Sequence, residues 1–134
     1  MLLIGGAEKR DIDDEEELLR RIVRPDYIRP DRKLSSAIYK TRDGYPEQNL
    51  SVYIGTLVTP SDVTTAFPEH GVAGIFAHVP RSQQLDVVHR PSGVDKYPKL
   101  DAAHAEFEGQ NDEGKCVVMA RRSRTIVMHP QSHP

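Results

Sequence analysis

Two segments, Leu34-Ser-Ser-Ala-Ile-Tyr-Lys40 and Leu50-Ser-Val-Tyr-Ile54, decide how the fold is read. Each alternates apolar residues with small or polar ones, as a strand does when one face is buried. In the second, Leu50, Val52 and Ile54 share a face and Ser51 and Tyr53 share the other. In the first, Leu34, Ser36 and Ile38 oppose Ser35, Ala37 and Tyr39. The nine residues between them include Asp43-Gly44, which tolerates positive φ, and Pro46, which a strand cannot run through. The expectation is a central β-hairpin.

Working outward, Asp13-Asp-Glu-Glu-Glu-Leu-Leu-Arg-Arg-Ile-Val23 has acids in its first turn and arginines in its last. That order suits a helix dipole and predicts a short helix with Leu18, Leu19, Ile22 and Val23 inward. An acidic linker followed by a strand over 18–23 is the alternative. Pro25 and Pro30 hold an extended connection. Thr59-Pro-Ser-Asp62 opens a second helix, with a capping threonine and proline at the first helical position, and Pro68 stops it. Its Val63, Ala66 and Phe67 are expected to face the core. The apolar run Gly71 to Val79 predicts a buried strand ended by Pro80, and Leu85 to His89 another. A turn-rich loop is expected from Pro91 to Leu100, then a strand from Ala103 to Glu108 and a helix from Lys115 to Arg124. That helix would turn Cys116, Met119, Ala120 and Ser123 inward, and residues 125–128 would finish as a strand. The pattern is that of a small single-domain α+β fold, a mostly antiparallel sheet of about five strands with two or three short helices. Residues 1–12 are expected as a flexible lead-in, 13–128 as the domain and 129–134 as a tail.

Composition bounds the function. The 134 residues carry a net charge of -2, which disfavours generic nucleic-acid binding by bulk attraction. Cys116 is the single cysteine, so no internal disulfide forms, as suits a reducing cytoplasm. The opening Met1-Leu-Leu-Ile4 is too short for a signal-peptide core, and no apolar run approaches the roughly twenty residues that span a bilayer. The expectation is a cytoplasmic protein that does not enter the membrane.

Four constellations bear on chemistry. Gly109-Gln-Asn-Asp-Glu-Gly-Lys-Cys116 approaches a phosphate-binding loop, but cysteine stands where a magnesium-binding hydroxyl belongs, and Asp112 and Glu113 bring the wrong charge. It is read as a solvated turn. The six histidines are scattered along the chain, and no metal is expected. His104, Glu106 and Glu108 fall on one side of a predicted strand whose other side carries Ala105 and Phe107. A row of two acids and a histidine opposite an apolar anchor is the candidate catalytic face, without an identified nucleophile. Arg121-Arg122-Ser123-Arg124 makes a basic patch suited to an acidic partner.

Two resemblances add to this. Arg20 or Arg21, the serine pair Ser35 and Ser36, and the late Glu106-Phe-Glu108 resemble the arginine, serine-strand and Glu-x-Glu series of one branch of the mono-ADP-ribosyltransferases. That likeness implies an NAD cofactor, with arginine on its phosphates, serine at the nicotinamide and Glu108 beside the ribosyl cation. In layout, Arg20-Arg-Ile22, Ser35-Ser-Ala37, Leu50-Ser-Val52 and His104-Ala105 are similar to a group of small bacterial proteins that implies no established activity. The sequence thus points first to a bacterial accessory protein that binds another protein without a cofactor. An NAD- or nucleotide-dependent transferase is the alternative.

Overall fold

The acidic segment leads into a strand. In the computed structural model, which describes residues 9–91 and 96–132, β1 (Glu17–Ile22) replaces the expected helix. Leu18 and Ile22 are fully buried in one core while Leu19 is buried in another, on the opposite side of the sheet. A strand buried on both faces loses its alternation and imitates helical spacing. The acids have other partners: Glu16 accepts from Arg10, Thr56 and the Asp13 amide, Asp14 pairs with Arg81, and Glu17 with Arg124.

The expected hairpin is also replaced. β2 (Leu50–Ile54) forms with Leu50, Val52 and Ile54 buried. Residues 36–39, however, make a single 3-10 turn rather than a strand. Ser35 caps that turn by accepting from the Ala37 amide at 3.1 Å, a local bond that competes with sheet formation. The turn drops Ile38 and Tyr39 together into the core. The buried Tyr39 hydroxyl meets Ser123 Oγ at 2.6 Å, and burial pushes the phenol up to about 12.

α1 (Pro60–Ala66) forms as expected: Thr59 accepts from the Asp62 amide and the Asp62 carboxylate accepts from the Thr59 amide. β3 (Gly71–Phe76) ends earlier than predicted, because Pro80 lies in the first turn of α2 (His78–Ser82) and not at a strand end. Proline is tolerated there because that turn's amides lack helical partners. β4 (Asp86–His89) follows. The loop expected over 91–100 gives way at Pro98 to α3 (Pro98–Ala103), and its residues 92–95 lie outside the described residues. β5 (His104–Glu108), α4 (Glu113–Arg121) and β6 (Arg124–Val127) complete the chain. Asp112 caps α4, and the Cys116 thiol is buried against the Tyr39 carbonyl, with burial pushing its pKa up.

Among the described residues, six strands form one antiparallel sheet in the order β4-β5-β2-β1-β3-β6, a small single-domain α+β fold. One face carries the main core, closed by α2, α4 and the 3-10 turn. The other carries a smaller core in which Leu19, Val58 and Val72 meet Val63 of α1 and Leu100 and Ala103 of α3. Among the terminal segments, Ile12 and His129 are buried. No described helix is long and apolar enough to cross a membrane.

Candidate functional site

β1 and β2 pair only at Leu18–Ile54 and Leu19–Tyr53. Beyond that point β1 stays with β3 as far as Ile22, and β2 stays with β5 as far as Leu50. The sheet therefore forks at its centre. Arg20 fills the base of the fork, donating to the Ile38 carbonyl at 3.1 Å and the Ser51 carbonyl at 2.9 Å, with Glu47 at 3.4 Å. Three of its five N–H donors are thus spent, one on Ser51 of the facing arm and two on Ile38 and Glu47 outside the sheet.

Above Arg20 the fork opens into a groove of about 500 Å³, within the usual range for small-ligand sites. Arg21, Arg24, Lys40 and Arg42 line it, with Tyr53 and His70 on its walls. Arg21 lies over the Phe67 ring at 4.1 Å and reaches His70 Nδ1 at 3.4 Å. Burial, and then the Arg21 charge, push the His70 pKa below its ordinary value, so the imidazole is neutral at pH 7. Among the described residues, Glu47 is the one carboxylate on the wall. Arg24 is bridged to Asp26 and Lys40 to Glu113, whereas Arg21 and Arg42 have no carboxylate partner among the described residues. The groove is a concentration of positive charge in a chain of negative net charge.

Ser51 stands where the groove meets the open face of the sheet. Its hydroxyl lies 3.1 Å from His104 Nε2, and His104 Nδ1 lies 2.8 Å from the Arg90 carbonyl. A carbonyl only accepts, so Nδ1 carries a proton, and in the neutral ring Nε2 accepts from Ser51. Glu106 and Glu108 continue the row on β5, with Ala105 and Phe107 buried behind them as expected. Glu108 is held by Arg90 at 2.7 and 2.8 Å, which lowers its pKa. Burial first, then the hydrogen bond with Glu108, raises that of Glu106.

The candidates named from sequence separate accordingly. Arg20 and Arg21 line the groove, and His104 reaches it through Ser51, which the sequence offered only as the polar face of a strand. Ser35 and Ser36 lie on the turn that closes the main core, and Ser35 is spent as a cap. Glu108 lies on the open face, its charge matched by Arg90. The cleft that an ADP-ribosyltransferase needs, with arginine, serine pair and glutamate together, is not assembled by these residues. Arg121 and Arg124 line a second groove, of about 670 Å³, which Arg29, Arg32 and Lys33 complete, and Arg122 caps the adjoining helix. Among the described residues, no group of histidine, cysteine and carboxylate side chains is placed to hold a metal ion.

No family model matches the chain, and comparison with curated proteins and with solved structures yields no match.

Proposed function

We propose that the protein binds a small phosphate-bearing ligand in the fork of its sheet. The observation that carries this is the set of cations around one groove of ligand size, with Arg21 and Arg42 lacking carboxylate partners among the described residues. A guanidinium matches phosphate oxygens in pairs, and a groove walled by low-dielectric protein strengthens each bond. Tyr53 offers a flat surface beside the charges, so a nucleotide suits the site as well as phosphate alone. Arg20 works here as a strut, and Arg21 and Arg42 as the ligand's contacts. Isothermal titration with inorganic phosphate, AMP and NAD tests this. Wild type should bind at least one of them, and Arg21→Gln with Arg42→Gln should weaken binding by about tenfold or more, at roughly 1.5–3 kcal/mol for each charged hydrogen bond lost. Heat absent for all three probes would sink the proposal.

A second role, docking to an acidic partner protein, is favoured by the other groove. Arg32, Lys33 and Arg121 there, and Arg122 at the adjoining helix end, have no carboxylate partner among the described residues, while Arg29 and Arg124 are held by Asp31 and Glu17. Reversing the charges of Arg121, Arg122 and Arg124 should remove partners that co-purify from the native host. Unchanged recovery would exclude this surface. The acidic run at 11–17 is a poorer candidate, since Asp14, Glu16 and Glu17 already hold internal cations.

A further inference from the structure

Ser51 is exposed, on a part of the sheet where the main core lies behind it and His104 and Glu106 lie beside it. Packing does not require a hydroxyl there. Three features make this hydroxyl unusual. Its neighbour His104 is oriented by the Arg90 carbonyl, so that in the neutral ring the unprotonated nitrogen faces Ser51 Oγ at 3.1 Å. That is hydrogen-bond distance for a nucleophile and its base, with a third group holding the base. Ser51 also lines the cationic groove. Finally, continuing the β1–β2 register of Leu18–Ile54 and Leu19–Tyr53 by two residues sets Arg21 across the fork from Ser51.

We infer that Ser51 and His104 are a nucleophile and general base for acyl transfer from an acyl phosphate, whose phosphate sits among the groove's arginines. This rests on the phosphate-binding role proposed for the fork and specifies its substrate class. Ser51 Oγ attacks the carbonyl carbon and its proton passes to His104 Nε2. The bond from that carbon to the bridging oxygen breaks, and its electron pair leaves with the phosphate. Phosphate is a good leaving group, and Arg21 and Arg42 offset the charge it gains. His104 then gives its proton to the departing phosphate and is free again. Water attacks the acyl-serine with His104 taking its proton, and that proton returns to Ser51 Oγ as the carboxylic acid departs. The sum is acyl phosphate plus water giving carboxylic acid and phosphate, with no oxidant and no further reactant.

The experiment uses the full chain and two probes, acetyl phosphate and a fluorophosphonate, which forms a bond to an activated serine as fluoride leaves. Peptide mass mapping should place the fluorophosphonate on Ser51, with acetyl phosphate slowing the labelling. His104→Gln should slow it by roughly a hundredfold, the scale of a lost general base, with an unchanged circular dichroism spectrum. Calorimetry with acetyl phosphate on wild type separates the two ways of failing. Binding without label on Ser51 would overturn the nucleophile and leave the groove standing. Absence of binding would overturn the groove itself, and the acyl transfer with it.

Discussion

Replacing Arg20 with methionine should destabilise the fold far more than losing one surface charge. Its side chain is only 12% exposed, and its guanidinium stands in for the strand pairing that β1 and β2 give up beyond Leu19 and Tyr53. Methionine keeps the length of the stem but supplies no donors, leaving the Ile38 and Ser51 carbonyls without the donor that reaches them from Arg20. Leaving a buried acceptor unsatisfied costs about 1–3 kcal/mol. The Ser51 bond lies on the exposed side, where water replaces part of what is lost, and the Glu47 pair at 3.4 Å adds little. The expected loss is therefore about 2–3 kcal/mol, a sizeable part of the roughly 5–15 kcal/mol that holds a domain folded. Urea denaturation followed by circular dichroism measures it, with an unchanged slope confirming a change in stability alone. A loss below about 0.5 kcal/mol would show that the fork is held open by other means and that Arg20 is not its strut.

Other outcomes follow from the same structure. Val52→Asp puts an unpaired carboxylate at a side chain 1% exposed, and should cost several kcal/mol and abolish a cooperative melt; a parental melting curve would refute the core assignment of β2. His104→Ala with Glu108→Ala should leave stability within about 1 kcal/mol of the parent, since both lie on the solvent side of β5 and the Arg90–Glu108 bridge is partly exposed; a larger loss would make the row structural. On acidification, groups with lowered pKa weaken the fold, His70 first and then carboxylates that include Glu16 and Glu108. The His70 pKa is lowered, so its contribution is complete above the ordinary histidine value of 6.5 and fades as pH falls from there. The Arg10 hydrogen bond holds Glu16 at about 2 against an ordinary 4.5, so its contribution is complete above 4.5 and is lost between 4.5 and 2. Melting temperature against pH should show both limbs, and Glu16→Gln should flatten only the lower; an unaltered lower limb would rule out Glu16 as its source.

Much of the sheet was legible wherever one face alone is buried. Leu50–Ile54 and His104–Glu108 alternate cleanly, and both form the strands that their pattern predicts. Thr59, Pro60 and Asp62 spell a helix start in local hydrogen bonds, so α1 needed no tertiary knowledge. The failures come from long-range contacts and, in one case, from a local cap as well. Leu18, Leu19 and Ile22 serve two cores at once, which gives β1 a helical spacing that only its two neighbouring strands explain. Leu34 to Lys40 alternates as a strand does, yet the Ser35 cap and the demand for both Ile38 and Tyr39 inside turn it into a 3-10 segment. The site was half visible for the same reason. The row on β5 could be read from its period of two, but the fork depends on where two pairings stop. Ser51 meets His104 only because β2 lies beside β5, fifty-three residues apart in sequence.

The most direct measurement of the central claim is a phosphate titration of isotope-labelled protein followed by NMR. An anion seated in the fork should shift the side-chain Nε–H signals of Arg21 and Arg42 and the backbone amides of Ser51 and Tyr53, with saturation. The signals of Arg29, Arg32 and Arg121 in the second groove should move little. Shifts spread evenly over all the arginines, growing linearly without saturation, would mean diffuse ionic attraction and would contradict a built site in the fork.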